Sequence, residues 1–244
     1  GYPEFLGFKN ETEFKQLIGF DEKLAKGFRF EIRDAIGQSD VAVSKVRAVT
    51  RWDTLGSGLW VTLDFKIPKG EAHPLRAIGR DVDKIYDASE QYGFLPNGLF
   101  GLGAFDRAGV LQRVVPQDIA CDKVSTSNDR SIHLGVSCIR CHSKGGLQPM
   151  DGWFRGLFVP PLKGNLNAYL KPGYKQEDVE KLQEELEQQY QQEFKGRLED
   201  DKLRYERAVL TCTGVDSEKF AKLTTELWTK YEDAKVDLKY VADE

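Results

Sequence analysis

Five residues past the middle of the chain, Cys138-Ile139-Arg140-Cys141-His142, constrain its fold more than any other feature. Two thiols two residues apart, followed at once by an imidazole, form the C-x-x-C-H pattern by which haem is attached covalently. The thiols add to the two vinyl groups of one porphyrin, and His142 then faces the iron as the proximal axial ligand. A chain with this motif has to build a slot for a flat apolar body beside it. Two other uses of a cysteine pair fit less well. Zinc needs further ligands at matched spacing, whereas Cys121, Cys212, His73 and His133 are scattered singly. A thioredoxin-like dithiol follows a strand in a βαβ unit, and no such pattern leads into Cys138.

At 244 residues the chain is long enough to bury a core around such a group without disulfides. Its net charge of -4 argues against a nucleic-acid partner, which selects a basic face. The apolar runs fall far short of a transmembrane segment. Covalent haem attachment takes place outside the cytoplasm, so the protein is expected to be periplasmic or otherwise exported. The opening Gly1-Tyr2-Pro3-Glu4 has neither the basic start nor the apolar stretch of a signal peptide, which is expected to have been removed or left out. In that compartment Cys121 and Cys212 could pair, a bridge worth about 4–5 kcal/mol in the chain-entropy model. The alternative is two buried free thiols.

The patterning predicts an α+β fold: two antiparallel hairpins with flanking helices, a loop-rich haem-binding region and a helical tail. Asn10 and Glu13 form the start of a helix whose apolar stripe is Phe14, Leu17, Ile18 and Leu24, with Gly27 as its stop. Val41 to Thr50 and the alternating stretch Leu59 to Ile67 read as one hairpin. A helix is expected over Leu75 to Glu90, and a second hairpin over Leu99 to Phe105 and Val110 to Val115. The stretch from Ile119 to Pro161 lacks periodicity and should wrap the cofactor. After Lys171-Pro172-Gly173, helices carry Val179, Leu182, Leu186, Tyr190 and Phe194, and then, from Ser217, Phe220, Leu223, Leu227, Trp228 and Tyr231. Residues 1–170 are thus expected as the haem-binding domain and 171–244 as a tail packed on it, or both as one domain. The tail's charge pattern also admits contacts with further domains or subunits.

Three residues are candidates for the sixth position of the iron. Met150 is the sole methionine and lies eight residues beyond His142; His133 lies five before Cys138; His73 is free to come from elsewhere in the fold. Trp153, Phe154 and Phe158 are candidate walls, and Arg140, Lys144 and Arg155 candidate partners for propionates. Gly101 and Gly103 would let a flat group approach a strand, or serve packing alone.

Leu95-Pro96-Asn97-Gly98-Leu99, and then Gly135-Val136-Ser137-Cys138-Ile139-Arg140-Cys141-His142 with Gly145 behind it, resemble a group of uncharacterised bacterial c-type cytochrome proteins. The resemblance runs from near Arg47 to Gly214-Val215-Asp216, and it does not extend to the ordinary small class I cytochromes c. It implies one haem c in an exported protein, often as a domain of a longer polypeptide. Members often carry methionine shortly after the glycine, where this chain has Gly146. The expected function is single-electron transfer in the periplasm with a redox partner protein. The alternatives are a haem enzyme or small-molecule binder with an open sixth position, peroxidase-like or nitrogen-oxide-handling, and an interaction module stapled by haem.

Overall fold

The computed structural model describes residues 1–27, 32–37, 41–43, 46–54, 57–66, 86–123, 130–144 and 190–233, together with positions 175, 177, 180, 181, 184 and 188. Short helices α1 (Tyr2–Leu6), α2 (Glu11–Leu17) and α3 (Glu22–Gly27) lead into strands β1 (Ile32–Gly37), β2 (Val46–Thr54), β3 (Ser57–Asp64), β4 (Ala88–Phe94) and β5 (Phe100–Asp106). These five form one sheet in sequence order, every neighbouring pair antiparallel. A two-residue ribbon, β6 (Val114–Val115) with β7 (Ile132–His133), delivers the chain to helix α4 (Val136–His142). A π-turn at Tyr190–Phe194 opens the long helices α5 (Lys195–Thr213) and α6 (Ser217–Asp233). The α+β architecture is as expected from the sequence.

Local chemistry accounts for several boundaries. Asn10 caps α2 by accepting the Glu13 amide at 2.9 Å, while Glu13 accepts the Lys9 amide at 2.8 Å. The expected single helix through Leu24 is two, broken at Gly19, whose φ of 68° suits glycine. The expected first hairpin is β2–β3, with Ala48 opposite Leu63 and Trp52 opposite Leu59. The Leu95–Leu99 turn joins β4 to β5, closed by the Leu95 amide donating to the Leu99 carbonyl at 2.8 Å.

Two expectations are corrected. The end of the predicted helix at Leu75 to Glu90 is strand β4; residues 67–85 lie outside the described residues. In the predicted second hairpin, β5 takes β4 as its sheet partner. The Asp106–Gly109 turn exists, but past it only the single bridge Phe105–Leu111 forms before Val114 turns away to pair with His133. A strand that already has a long partner on one edge needs less from the other.

Both faces of the sheet are covered, so the apolar-in, polar-out reading of β3 fails: Leu59, Trp60, Thr62, Leu63 and Asp64 are all buried. One face carries α2. There Phe14 meets Phe8 and Phe105 at centroid distances of 5.1 and 5.7 Å. A Cβ on Gly93 would stand 2.3 Å from Ile18, and one on Gly103 would stand 3.2 Å from Phe14. Gly103 makes room first for the Phe105 ring, which a Cβ would meet at 2.5 Å, and then for Phe14, while Gly101 faces Leu95 at 3.0 Å and Ile18 at 3.4 Å. The opposite face carries α4, Phe194 and α5. Trp60 packs edge-on against Phe194 at 4.9 Å and donates its indole N–H to Asp201 at 2.6 Å. Arg51 pairs with Asp201, and Arg197 with Asp53, pinning α5 to the sheet. Among the described residues no helix is long and apolar enough to cross a membrane.

Candidate cofactor site

The C-x-x-C-H residues lie on α4. At 3.6 residues per turn, positions i, i+3 and i+4 share one side of a helix, so Cys138, Cys141 and His142 are neighbours on its surface. Gly135, at φ 86°, starts the helix hard against Tyr2, whose ring a Cβ would meet at 2.5 Å. The hydroxyl of buried Ser137 accepts the His133 amide at 3.0 Å. Arg140, a candidate propionate partner otherwise expected to lie solvated between the cysteines, instead donates to buried Asp122 at 2.8 Å and lies over the Trp228 ring at 5.1 Å. Both contacts hold α4 in place.

His142 lines a cavity of about 370 Å³. Its walls come from the sheet (Phe100, Leu102), from α1 (Tyr2) and from the two long helices (Tyr205, Phe220, Trp228). The surroundings are almost wholly hydrocarbon and aromatic. On its other side His142 meets Tyr92 of β4: the rings are 4.8 Å apart, and Nε2 is 3.3 Å from the Tyr92 hydroxyl. Tyr92 donates to Glu90 at 2.8 Å. Glu90 pairs with Arg47 at 2.8 Å, and Arg47 binds Asp64 through two nitrogens, each at 2.6 Å. Strand periodicity explains the set: Glu90 and Tyr92 are i and i+2 on β4, while Arg47 and Asp64 lie on the same face of β2 and β3.

Burial and charge shape these groups. Burial opposes ionisation of Glu90, but Arg47, the Tyr92 hydroxyl and His142 together hold it below the ordinary carboxylate range. Asp64 is lifted to about 6, burial outweighing the pull of Arg47. Burial also pushes the Cys138 thiol up to about 12, with the Glu90 charge adding to it. Cys138 borders a narrow cleft with Glu90, Tyr92 and Leu134, whereas Cys141 is exposed.

His133 is half-buried on β7, its ring edge-on to Tyr231 at 6.2 Å, and it is not among the residues lining the cavity. His73, Met150, Trp153, Phe154, Arg155 and Phe158 lie outside the described residues. Lys144 is exposed. The expected Cys121–Cys212 bridge is not made. Cys212 stands exposed on α5 with its sulfur 3.8 Å from the Asn97 carbonyl, while the Cys121 amide donates to Val41.

The sequence reading missed Tyr92, Glu90, Arg47 and Asp64, and most of the cavity wall. A helix drawn through Glu90 hid the i, i+2 pairing of Glu90 with Tyr92; the valine-rich strand around Arg47 was the available signal.

Compared with protein-family models, curated proteins and solved structures, the chain has no match.

The described residues meet part of what a haem would need: His142 lines the apolar cavity, whereas Cys138 borders a separate narrow cleft and Cys141 is exposed. Among the described residues no three metal-ligating side chains gather to hold a bare ion. A haem would need only one iron ligand from the helix, which His142 would supply, and the cavity that His142 lines is apolar.

Proposed function

We propose that this chain is an exported monohaem c-type protein whose work is single-electron transfer with a redox partner protein. The observation that carries this reading is the juxtaposition of Cys138, Cys141 and His142 on one helix with an aromatic-walled apolar cavity that His142 lines. Cys138 and Cys141 would hold the haem through thioethers, and His142 would be its axial ligand. Bound there, the haem supplies one-electron redox chemistry.

The chain's own residues supply the setting. Tyr2, Phe100, Leu102, Tyr205, Phe220 and Trp228 exclude water and lower the local dielectric. Asp122, through Arg140, fixes the helix that bears the ligand. A rigid ligand helix limits reorganisation between redox states.

A second reading has its own support. Apart from His142, the described cavity lining is aromatic or aliphatic, plus Gly135, so a second strong axial ligand would come from His73 or Met150, beyond the described residues. With neither on the iron, the protein would bind small gases or peroxide. Expression beside a haem-attachment system, followed by mass measurement under denaturing conditions, tests the main reading: a mass gain of one haem is expected, and an unmodified chain overturns it. Carbon monoxide added to the reduced protein separates the two readings. No spectral change supports the electron carrier, and rapid binding supports the open site.

A further inference from the structure

The cavity that His142 lines and the two cysteines are separate spaces. Cys138 borders the narrow cleft with Glu90 and Tyr92, and Cys141 is exposed, so neither lines the cavity. His142 Nε2 is itself engaged by the Tyr92 hydroxyl at 3.3 Å. The rest of the wall has a chemistry of its own. Rings converge from distant parts of the chain: Tyr2 of α1, Phe100 of β5, Tyr205 of α5, and Phe220 and Trp228 of α6. Phe100 and Tyr205 lie nearly parallel, with 22° between their planes and 5.0 Å between centroids. None of the described lining residues is a carboxylate, a lysine or an arginine, so an ion would enter without a partner. The volume of about 370 Å³ falls at the lower end of the ~300–1,000 Å³ usual for small-molecule sites.

One polar group interrupts this apolar wall. Tyr205 is only 6% exposed, and among the described residues its hydroxyl has no hydrogen-bond partner. Burial alone lifts it to about 12, with no hydrogen bond contributing, so the phenol is neutral and keeps its proton near pH 7. Tyr2, the other phenol in the wall, is already tied to the Leu102 amide at 2.9 Å. A buried O–H without an acceptor is costly, and a ligand that supplies the acceptor recovers that cost. We propose that this cavity binds a small uncharged aromatic molecule whose hydrogen-bond acceptor, a carbonyl oxygen for example, takes the Tyr205 hydroxyl. The flat walls select a ring, and the lack of a charged partner selects a neutral one. The inference goes beyond the haem reading and does not rest on it: the ligand is organic, reversibly held, and not bonded to either cysteine.

The test is calorimetric titration of three probes into the full chain and into its Cys138→Ala plus Cys141→Ala variant. The probes are acetophenone, its hydrocarbon isostere α-methylstyrene, and benzoate. Acetophenone is expected to bind both chains at one site, and benzoate neither. The isostere should bind about 2- to 10-fold more weakly than acetophenone, the worth of one net hydrogen bond. Tyr205→Phe should lower acetophenone to the affinity of α-methylstyrene and leave α-methylstyrene unchanged, a selective loss that a merely structural role would not give. Val136→Trp, at a lining position 39% exposed, should fill the cavity and remove binding of both. The inference is overturned if acetophenone does not bind the folded chain, if benzoate binds as tightly, or if either variant leaves acetophenone affinity unchanged. Should Tyr205→Phe not fold, the ratio of acetophenone to α-methylstyrene affinity in the parent decides, and a ratio of one overturns the inference. Binding by the double cysteine variant that disappears from a haem-loaded parent gives the cavity to haem and overturns it as well. A parent that binds acetophenone yet never gains covalent haem overturns the haem reading alone.

Discussion

The two faces of the central sheet are both buried, yet they are built on opposite principles. The α2 face is a close-packed apolar layer: Phe8, Phe14, Ile18 and Phe105 fill the space that Gly93, Gly101 and Gly103 leave. The α4 face carries both buried ion pairs, Arg47 with Asp64 and Glu90 and Arg51 with Asp201, and a separate cavity lined by His142. Stability is concentrated on the first face. The second accepts buried charge and unfilled volume, both of which cost stability, and such features gather where a protein does chemistry.

The sharpest way to break this contrast is to strike each face once. Phe14→Ala, at a fully buried ring, should cost about 3–5 kcal/mol by denaturant unfolding. Arg47→Met should cost a similar amount, about 3–5 kcal/mol, for another reason: Asp64 and Glu90 are left without their cation. Adding Asp64→Asn and Glu90→Gln to Arg47→Met should recover much of that loss, whereas no charge change should rescue Phe14→Ala. If neutralising the carboxylates recovers nothing, the two faces do not differ as described.

A smaller effect is expected at Gly93. Gly93→Ala pushes against Ile18 and should cost about 1–3 kcal/mol, and Ile18→Val in the same chain should relieve part of it.

Smaller still is an alkaline effect on the cavity wall. Burial lifts Tyr205 to about 12 and pushes Tyr2 higher still, both from an ordinary value of 10.0. Above pH 10 the unfolded chain releases these protons while the folded chain keeps them. The folded state then binds more protons, so stability is fully present below pH 10 and falls as pH rises towards 12. Melting temperature followed from pH 8 to 11.5 checks the sign, and Tyr205→Phe should flatten the fall.

The legible parts of this chain were those fixed by local rules. The Asn10–Glu13 cap, the β2–β3 hairpin and the helix from Ser217 each follow from neighbouring residues. Strand β4 was not legible. In Ala88–Phe94 the buried residues include Ser89 and Gln91, because both faces of the strand are covered, and such a strand loses its period of two. The motif announced itself by spacing alone. Its surroundings did not, since Tyr2, Phe100, Tyr205 and Trp228 converge from distant parts of the chain. Gly101 and Gly103, read as admitting a flat group or serving packing alone, sit against Leu95, Ile18, Phe105 and Phe14.

The central claim is that the α4 face is a haem site. Its most direct test compares the parent with Cys138→Ala plus Cys141→Ala, both matured beside a haem-attachment system and then denatured. Covalent haem absorbance should remain with the parent polypeptide and vanish from the double variant. Haem still fixed to the double variant, or none fixed to the parent, would contradict the claim.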